Sequence, residues 1–127
     1  MEAYYLEATP KTPKLDFDPA TANFAISGRS IPENSIEFYK PLLEWLDEYV
    51  KSPASATNLE VKLEYFNTSS SKCLVEIFRK LEKITSEGKK LEVDWYFDEN
   101  DEDMQESGED FKEIIKVPFK MIQIKDH

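Results

Sequence analysis

Between Leu59 and Phe66 apolar and charged residues alternate. Leu59, Val61, Leu63 and Tyr65 fall on one face of an extended chain, and Glu60, Lys62 and Glu64 fall on the other. The alternation returns from Leu91 to Phe97, where Leu91, Val93, Trp95 and Phe97 oppose Glu92, Asp94 and Tyr96. No other feature restricts the fold as strongly. A strand that carries charge along one whole face cannot lie between two helical layers, because a doubly wound sheet needs apolar residues on both faces. The two strands predict a sheet with helices mainly on one face and the other face partly open.

After the first of these strands the period changes. Leu74, Ile77, Phe78, Leu81 and Ile84 recur at spacings of three and four, the apolar stripe of a helix from about Ser69 to Ser86. Gly88 is a suitable stop, and Lys89 and Lys90 suit the negative end of the helix dipole. A second stripe, Tyr39, Leu42, Leu43, Leu46, Tyr49 and Val50, follows Asn34, which can cap a helix with Glu37 three residues on. Pro41 lies inside that stripe and predicts a kink or a delayed regular part. Phe38 and Trp45 flank the stripe and either widen the buried face or form a patch for a partner. A third helix is expected after the acidic run Asp98 to Asp103, weakened at its start by Ser107-Gly108 and held by Phe111, Ile114 and Ile115.

Further strands are expected at Tyr4 to Glu7, Lys14 to Asp18, Asn23 to Ser27 and Val117 to Lys125, with a loop from Gly28 to Glu33. Strands that alternate with helices imply right-handed crossovers. The expected fold is α/β, one domain over residues 1–127. Its mixed sheet is mostly parallel, and the N-terminal segments join at an edge.

The turn between the central strand and its helix reads Asn67-Thr68-Ser69-Ser70-Ser71-Lys72. Any of these side-chain oxygens could cap the helix by accepting from the orphan N–H groups of its first turn. The same place suits an anion or a phosphorylated hydroxyl, because a helix N-terminus presents free N–H groups and partial positive charge. Four consecutive hydroxyls exceed the needs of one cap. Residue chemistry alone chooses neither between capping and phosphorylation nor among the hydroxyls.

Other chemistries lack their residues. The sole histidine is the terminal His127, which argues against a catalytic triad, a Cys–His pair or a histidine metal site. Three glycines leave no room for a phosphate-cradling glycine loop. The run Asp98 to Asp103 lacks the glycine and closing glutamate of a calcium loop. A net charge of −10 disfavours nucleic acid and anionic membranes as partners. There is no apolar run of membrane-spanning length and no signal-peptide pattern, and the single Cys73 fits a reducing cytoplasm. These features point to a binding or regulatory domain without metal or cofactor, rather than an enzyme.

Three stretches together resemble the SiaC family of bacterial regulatory phosphoproteins. They are Gly28-x-Ser30-x-Pro32-Glu33-Asn34-Ser35 before a helix with Trp45, Tyr65-x-Asn67-Thr68-Ser69-Ser70-x-Lys72, and Trp95-x-Phe97-Asp98 before an acidic loop and a Pro118-Phe119 strand. The resemblance covers nearly the whole chain and implies a fold similar to the STAS domain. It implies that Thr68 is phosphorylated by a partner protein kinase and restored by a PP2C-type phosphatase. It further implies that the unphosphorylated form binds and activates a diguanylate cyclase, in cyclic di-GMP signalling and biofilm control. Asn67, Ser69, Ser70 and Lys72 are then the surroundings of the phosphosite. Pro32, Glu33, Asn34, Ser35, Phe38 and Trp45 are candidates for partner contact. An anti-sigma-factor antagonist or a constitutive protein-binding module is the alternative.

Overall fold

The computed structural model describes residues 1–125. The expectation placed on His127 lies outside the described residues. Six strands form one sheet in the order of the chain. They are β1 (Tyr4–Leu6), β2 (Lys14–Asp18), β3 (Asn23–Ser30), β4 (Ala56–Phe66), β5 (Lys90–Asp98) and β6 (Phe119–Ile124). The pairs β1–β2 and β2–β3 are antiparallel, while β3–β4, β4–β5 and β5–β6 are parallel. The helices α1 (Ser35–Tyr49), α2 (Thr68–Glu82) and α3 (Glu102–Ile114) make the three crossovers. Parallel strands added always on the same side, through crossovers of one hand, bring every helix to one face.

The charged rows mark the other face. Leu59, Val61, Leu91, Val93 and Trp95 are buried beneath the helices. On the open face Lys62 Nζ lies 4.5 Å from the Tyr96 ring centroid, and Lys120 pairs with Glu92 at 3.5 Å. Asp94 stands in the middle of that face between Glu60 and Lys120. Its carboxyl is pushed above the ordinary value by desolvation, and next by the nearby Glu92.

Several boundaries differ from the sequence expectation. β3 continues through the expected loop to Ser30, and the ladder slips beside Gly28, whose φ of 103° is in the left-handed region. Gly28 pairs with Leu63 but Arg29 pairs with Tyr65, so Glu64 is the extra residue. The slip inverts the alternation. Tyr65, expected in the core, is 58% exposed, and Phe66 turns inward to meet the Trp95 ring edge-on at 6.0 Å. Pro41 sits within a continuous α1 and does not delay its start. The helix after β4 is α over Thr68–Glu82, then a 3-10 turn over Lys83–Glu87 that ends at Gly88 with φ of 81°.

Gly108 has a role that its helix-weakening character hides. It lies inside α3, and a Cβ there would fall 2.6 Å from Trp95 Nε1 and 2.7 Å from Met121 Cε. Glycine lets α3 approach the fully buried Trp95, whose Nε1 donates to Met104 O at 3.0 Å. Phe111 and Ile115 are buried as expected, but Ile114 is 49% exposed and Met104 takes its place in the core.

Candidate functional site

The parallel strands β3 and β4 end side by side, with Ser30 opposite Phe66. The chain turns from each of them into a helix at the same end of the sheet. Asn34 caps α1, its Oδ1 accepting from Glu37 N at 3.1 Å, while Asn34 Nδ2 donates to Glu37 Oε2 at 3.3 Å. Asn67 caps α2, its Oδ1 accepting from Ser70 N at 2.9 Å.

The two turns are joined by hydroxyls. Ser30 O accepts from Asn67 N at 3.1 Å and from Ser70 Oγ at 3.0 Å. Ser30 Oγ donates to Ser70 Oγ at 2.8 Å and lies 2.6 Å from Tyr39 OH. Ser35 Oγ lies 2.8 Å from Ser69 Oγ and 3.1 Å from Ser70 Oγ, and donates to Asn67 Oδ1 at 3.4 Å. Ser30, Ser35 and Ser70 are buried, and a buried hydroxyl costs stability unless it is paired. Burial pushes the Tyr39 phenol up to about 12, against the pull of its Ser30 hydrogen bond, so it stays protonated at neutral pH.

Thr68 stands apart from this network. It is the first residue of α2 and is exposed, and among the described residues its hydroxyl makes no hydrogen bond. Only its carbonyl is engaged, accepting from Ser71 Oγ at 2.8 Å. The first turn of α2 carries no acidic residue, whereas α1 has Glu37 there and α3 has Glu102 and Asp103. The positive end of the α2 dipole therefore faces solvent beside a free hydroxyl. Lys72, one turn on, is exposed and lies on the same side of the helix. Thr68 and Lys72 border an open cleft of about 370 Å³ between α2 and α3, with Val75, Phe111, Ile114 and Asp110 on its walls.

The four hydroxyls thus divide. Ser70 is structural, Ser69 is exposed but bonded to Ser35 and Asn67, and Ser71 bonds back to its own helix. Pro32 is buried and Ser35 has its hydroxyl in the network, while Glu33 and Asn34 are exposed. Trp45 is half-buried, stacked on Tyr49 at 5.5 Å and edge-on to Phe24 at 5.5 Å, and its Nε1 donates to Glu2 O at 2.8 Å. It lies ten residues along α1 from Ser35, about 15 Å from the hydroxyl network. Phe38 packs edge-on against Tyr39 at 4.9 Å. Cys73 is buried, and desolvation raises its thiol pKa, with Glu76 adding to the effect. The acidic run caps α3, Asp101 Oδ1 accepting from Met104 N at 3.0 Å.

Sequence reasoning named the Thr68 turn but not the buried bridge from Ser30 to Ser70 or the wall formed by Asp110 and Ile114. Their signal would have been the serine closing β3 beside a serine-rich turn on the next strand.

The class of protein is a singly wound α/β domain that gathers polar side chains at two neighbouring strand-to-helix turns, where among the described residues the Thr68 hydroxyl is left without a hydrogen bond. The chain belongs to the SiaC family of regulatory phosphoproteins, whose family model matches residues 6–124. An uncharacterised protein of Pseudomonas aeruginosa (strain UCBPP-PA14) is 29% identical over 119 residues, 94% of each chain. The solved structure of SiaC of Pseudomonas aeruginosa is similar with a TM-score of 0.88 and 26% identity, over 98% of this chain and all of that one. SiaC in complex with the diguanylate cyclase SiaD, of which it is the activator, matches with a TM-score of 0.87 and 27% identity, over 95% of this chain and 99% of that one.

Proposed function

We propose that this chain is a phosphorylation-switched activator of a diguanylate cyclase in the cytoplasm, with Thr68 as the switch. Two things support the partner: family membership and the complex formed by the similar Pseudomonas protein. The observation that supports the residue is the free, exposed hydroxyl of Thr68 at an acid-free helix start beside a partly apolar cleft. A partner kinase transfers a phosphoryl group from a nucleoside triphosphate to Thr68 Oγ1, which gives up its proton. A PP2C-type phosphatase returns the hydroxyl by hydrolysis. The chain itself acts by binding, not by catalysis.

The switch works through desolvation. A neutral hydroxyl and the apolar walls of the cleft can be covered by a partner at little cost. A phosphate of about −1.5 to −2 cannot be covered without a cation from the partner. Within the domain it gains from the α2 dipole and from Lys72, so the modified form is stable but cannot dock. The refolding required is small, since Ser70 and Asn67 hold the turn independently of Thr68.

Binding to the diguanylate cyclase of the same organism tests this reading. Thr68→Asp weakens the complex by at least about thirtyfold, while Thr68→Ala binds like the parent. Equal binding by the two variants excludes Thr68 as the switch.

A further inference from the structure

Exposure alone does not separate the hydroxyls at the head of α2. Thr68 and Ser69 are adjacent and both exposed, so a kinase that reaches one reaches the other. Successive helical residues stand about 100° apart around the axis, so the two hydroxyls leave α2 in different directions. Thr68 borders the cleft toward α3, and among the described residues nothing bonds to its hydroxyl. Ser69 turns toward α1, whose first residue, Ser35, lies 2.8 Å away from Oγ to Oγ.

A serine hydroxyl has one proton to donate. Ser69 Oγ has two acceptors within reach, Asn67 Oδ1 at 3.2 Å and Ser35 Oγ at 2.8 Å. When the Ser69 proton goes to Asn67, the 2.8 Å contact requires Ser35 to donate to Ser69 and occupy a lone pair. When Ser35 donates to Asn67 instead, Ser69 donates to Ser35. Both arrangements tie the Ser69 oxygen to α1. Phosphoryl transfer needs the opposite state. The attacking oxygen must turn a lone pair to phosphorus and release its proton to a base of the kinase. Thr68 can do so without giving up a bond, whereas Ser69 must first leave its partners.

Ser35 is placed for this task. It is 2% exposed, so a partner cannot touch it. Its hydroxyl meets Asn67, Ser69 and Ser70, all at the head of α2. Ser70 is held without it, donating to Ser30 O at 3.0 Å and accepting from Ser30 Oγ at 2.8 Å. Ser71 does not meet Ser35, and its hydroxyl donates to Thr68 O.

We infer that Ser35 selects the phosphorylated hydroxyl: it holds Ser69 against α1 and leaves Thr68 as the one presented to the kinase. Ser35 is a positioning residue for the kinase reaction, and this inference rests on the reading of Thr68 as the switch. Selection also protects the fold. A phosphate on Ser69 would break the bridge between α1 and α2, whereas a phosphate on Thr68 leaves it whole.

The test treats the full chain and its Ser35→Ala variant with the partner kinase of the same organism and a nucleoside triphosphate, then maps the phosphate on each hydroxyl. The parent carries it on Thr68. In Ser35→Ala the share on Ser69 rises by about tenfold, the scale of one lost hydrogen bond, and Ser71 stays unmodified. Phosphate that stays on Thr68 alone in both proteins overturns the inference. An equal rise at Ser69 and Ser71 also overturns it, because the turn would merely have loosened. Loss of all phosphorylation overturns it too, by giving Ser35 a structural role only. A parent phosphorylated on Ser69 overturns the reading of Thr68 as well. Side-chain couplings in the unmodified parent supply a second test that needs no variant. Ser69 holds a single χ1 rotamer there, and averaging over rotamers would overturn the inference.

Discussion

Helices α2 and α3 leave neighbouring parallel strands at the same end of the sheet, yet their first turns are built to opposite specifications. α3 is capped by Asp101 and follows it with Glu102 and Asp103, so three carboxylates compensate its dipole. It is also fixed from below by the Trp95–Met104 hydrogen bond and the close approach at Gly108. α2 is capped by the neutral Asn67 and has hydroxyls where α3 has acids. Of the three α-helices in a chain with 26 acidic residues, α2 alone has a first turn without an acid, and it has a free hydroxyl at its head. The comparison teaches that capping and charge compensation are separate tasks. α3 completes both within the fold, and α2 completes only the first.

Gly108→Ala breaks the α3 side of the comparison with the largest expected effect. The added methyl would fall 2.6 Å from Nε1 of the fully buried Trp95 indole, and the domain loses about 3 kcal/mol in chemical denaturation. The caps come next. Asn67→Ala costs about 1.5 kcal/mol, because Asn67 Oδ1 also serves the Ser69 and Ser35 hydroxyls. Asn34→Ala at α1 costs less, about 0.7 kcal/mol, because among the described residues its side chain bonds to Glu37 alone. A reversal of that order would show that the hydroxyl bridge does not bind the two turns together.

Thr68→Asp sharpens the comparison by giving α2 the acid it lacks. It raises stability by about 0.5 kcal/mol at low salt, a gain that fades near 1 M salt, while it weakens partner binding. A variant that folds better and binds worse separates the electrostatic block from simple damage. The smallest effect is remote from both turns. Desolvation holds the Asp94 carboxyl above its ordinary 3.8, so ionisation opposes folding. That penalty is full above the raised pKa and disappears as pH falls below the ordinary one. Asp94→Asn therefore stabilises the domain at neutral pH by a few tenths of a kcal/mol, and the gain shrinks on acidification.

Much of this was legible because it follows from periodicity. The charged rows on the central strands determined a one-sided sheet, and the stripes at three and four residues located all of α1 and most of α2. Periodicity fails where the register slips. The extra residue at Glu64 moved Tyr65 out of the core and Phe66 into it, and nothing local in Glu64-Tyr65-Phe66 announces a bulge set by Gly28 on another strand. Gly108 was misleading for a related reason. Its helix propensity is a local property, but its function is the distance to an indole thirteen residues earlier. At the site, the turn itself was visible as a run of hydroxyls. The division among them was not, since Ser70 is buried by Ser30 and Ser35 from two other segments, and Thr68 is free only because those segments do not reach it.

The most direct measurement is phosphopeptide mapping of the protein isolated from its own cells, with intact mass to count the phosphates. The account predicts a single phosphate, confined to Thr68. Phosphate on Ser69 or Ser71 with Thr68 unmodified, or none under any growth condition, would contradict it and reduce Thr68 to the first residue of a helix.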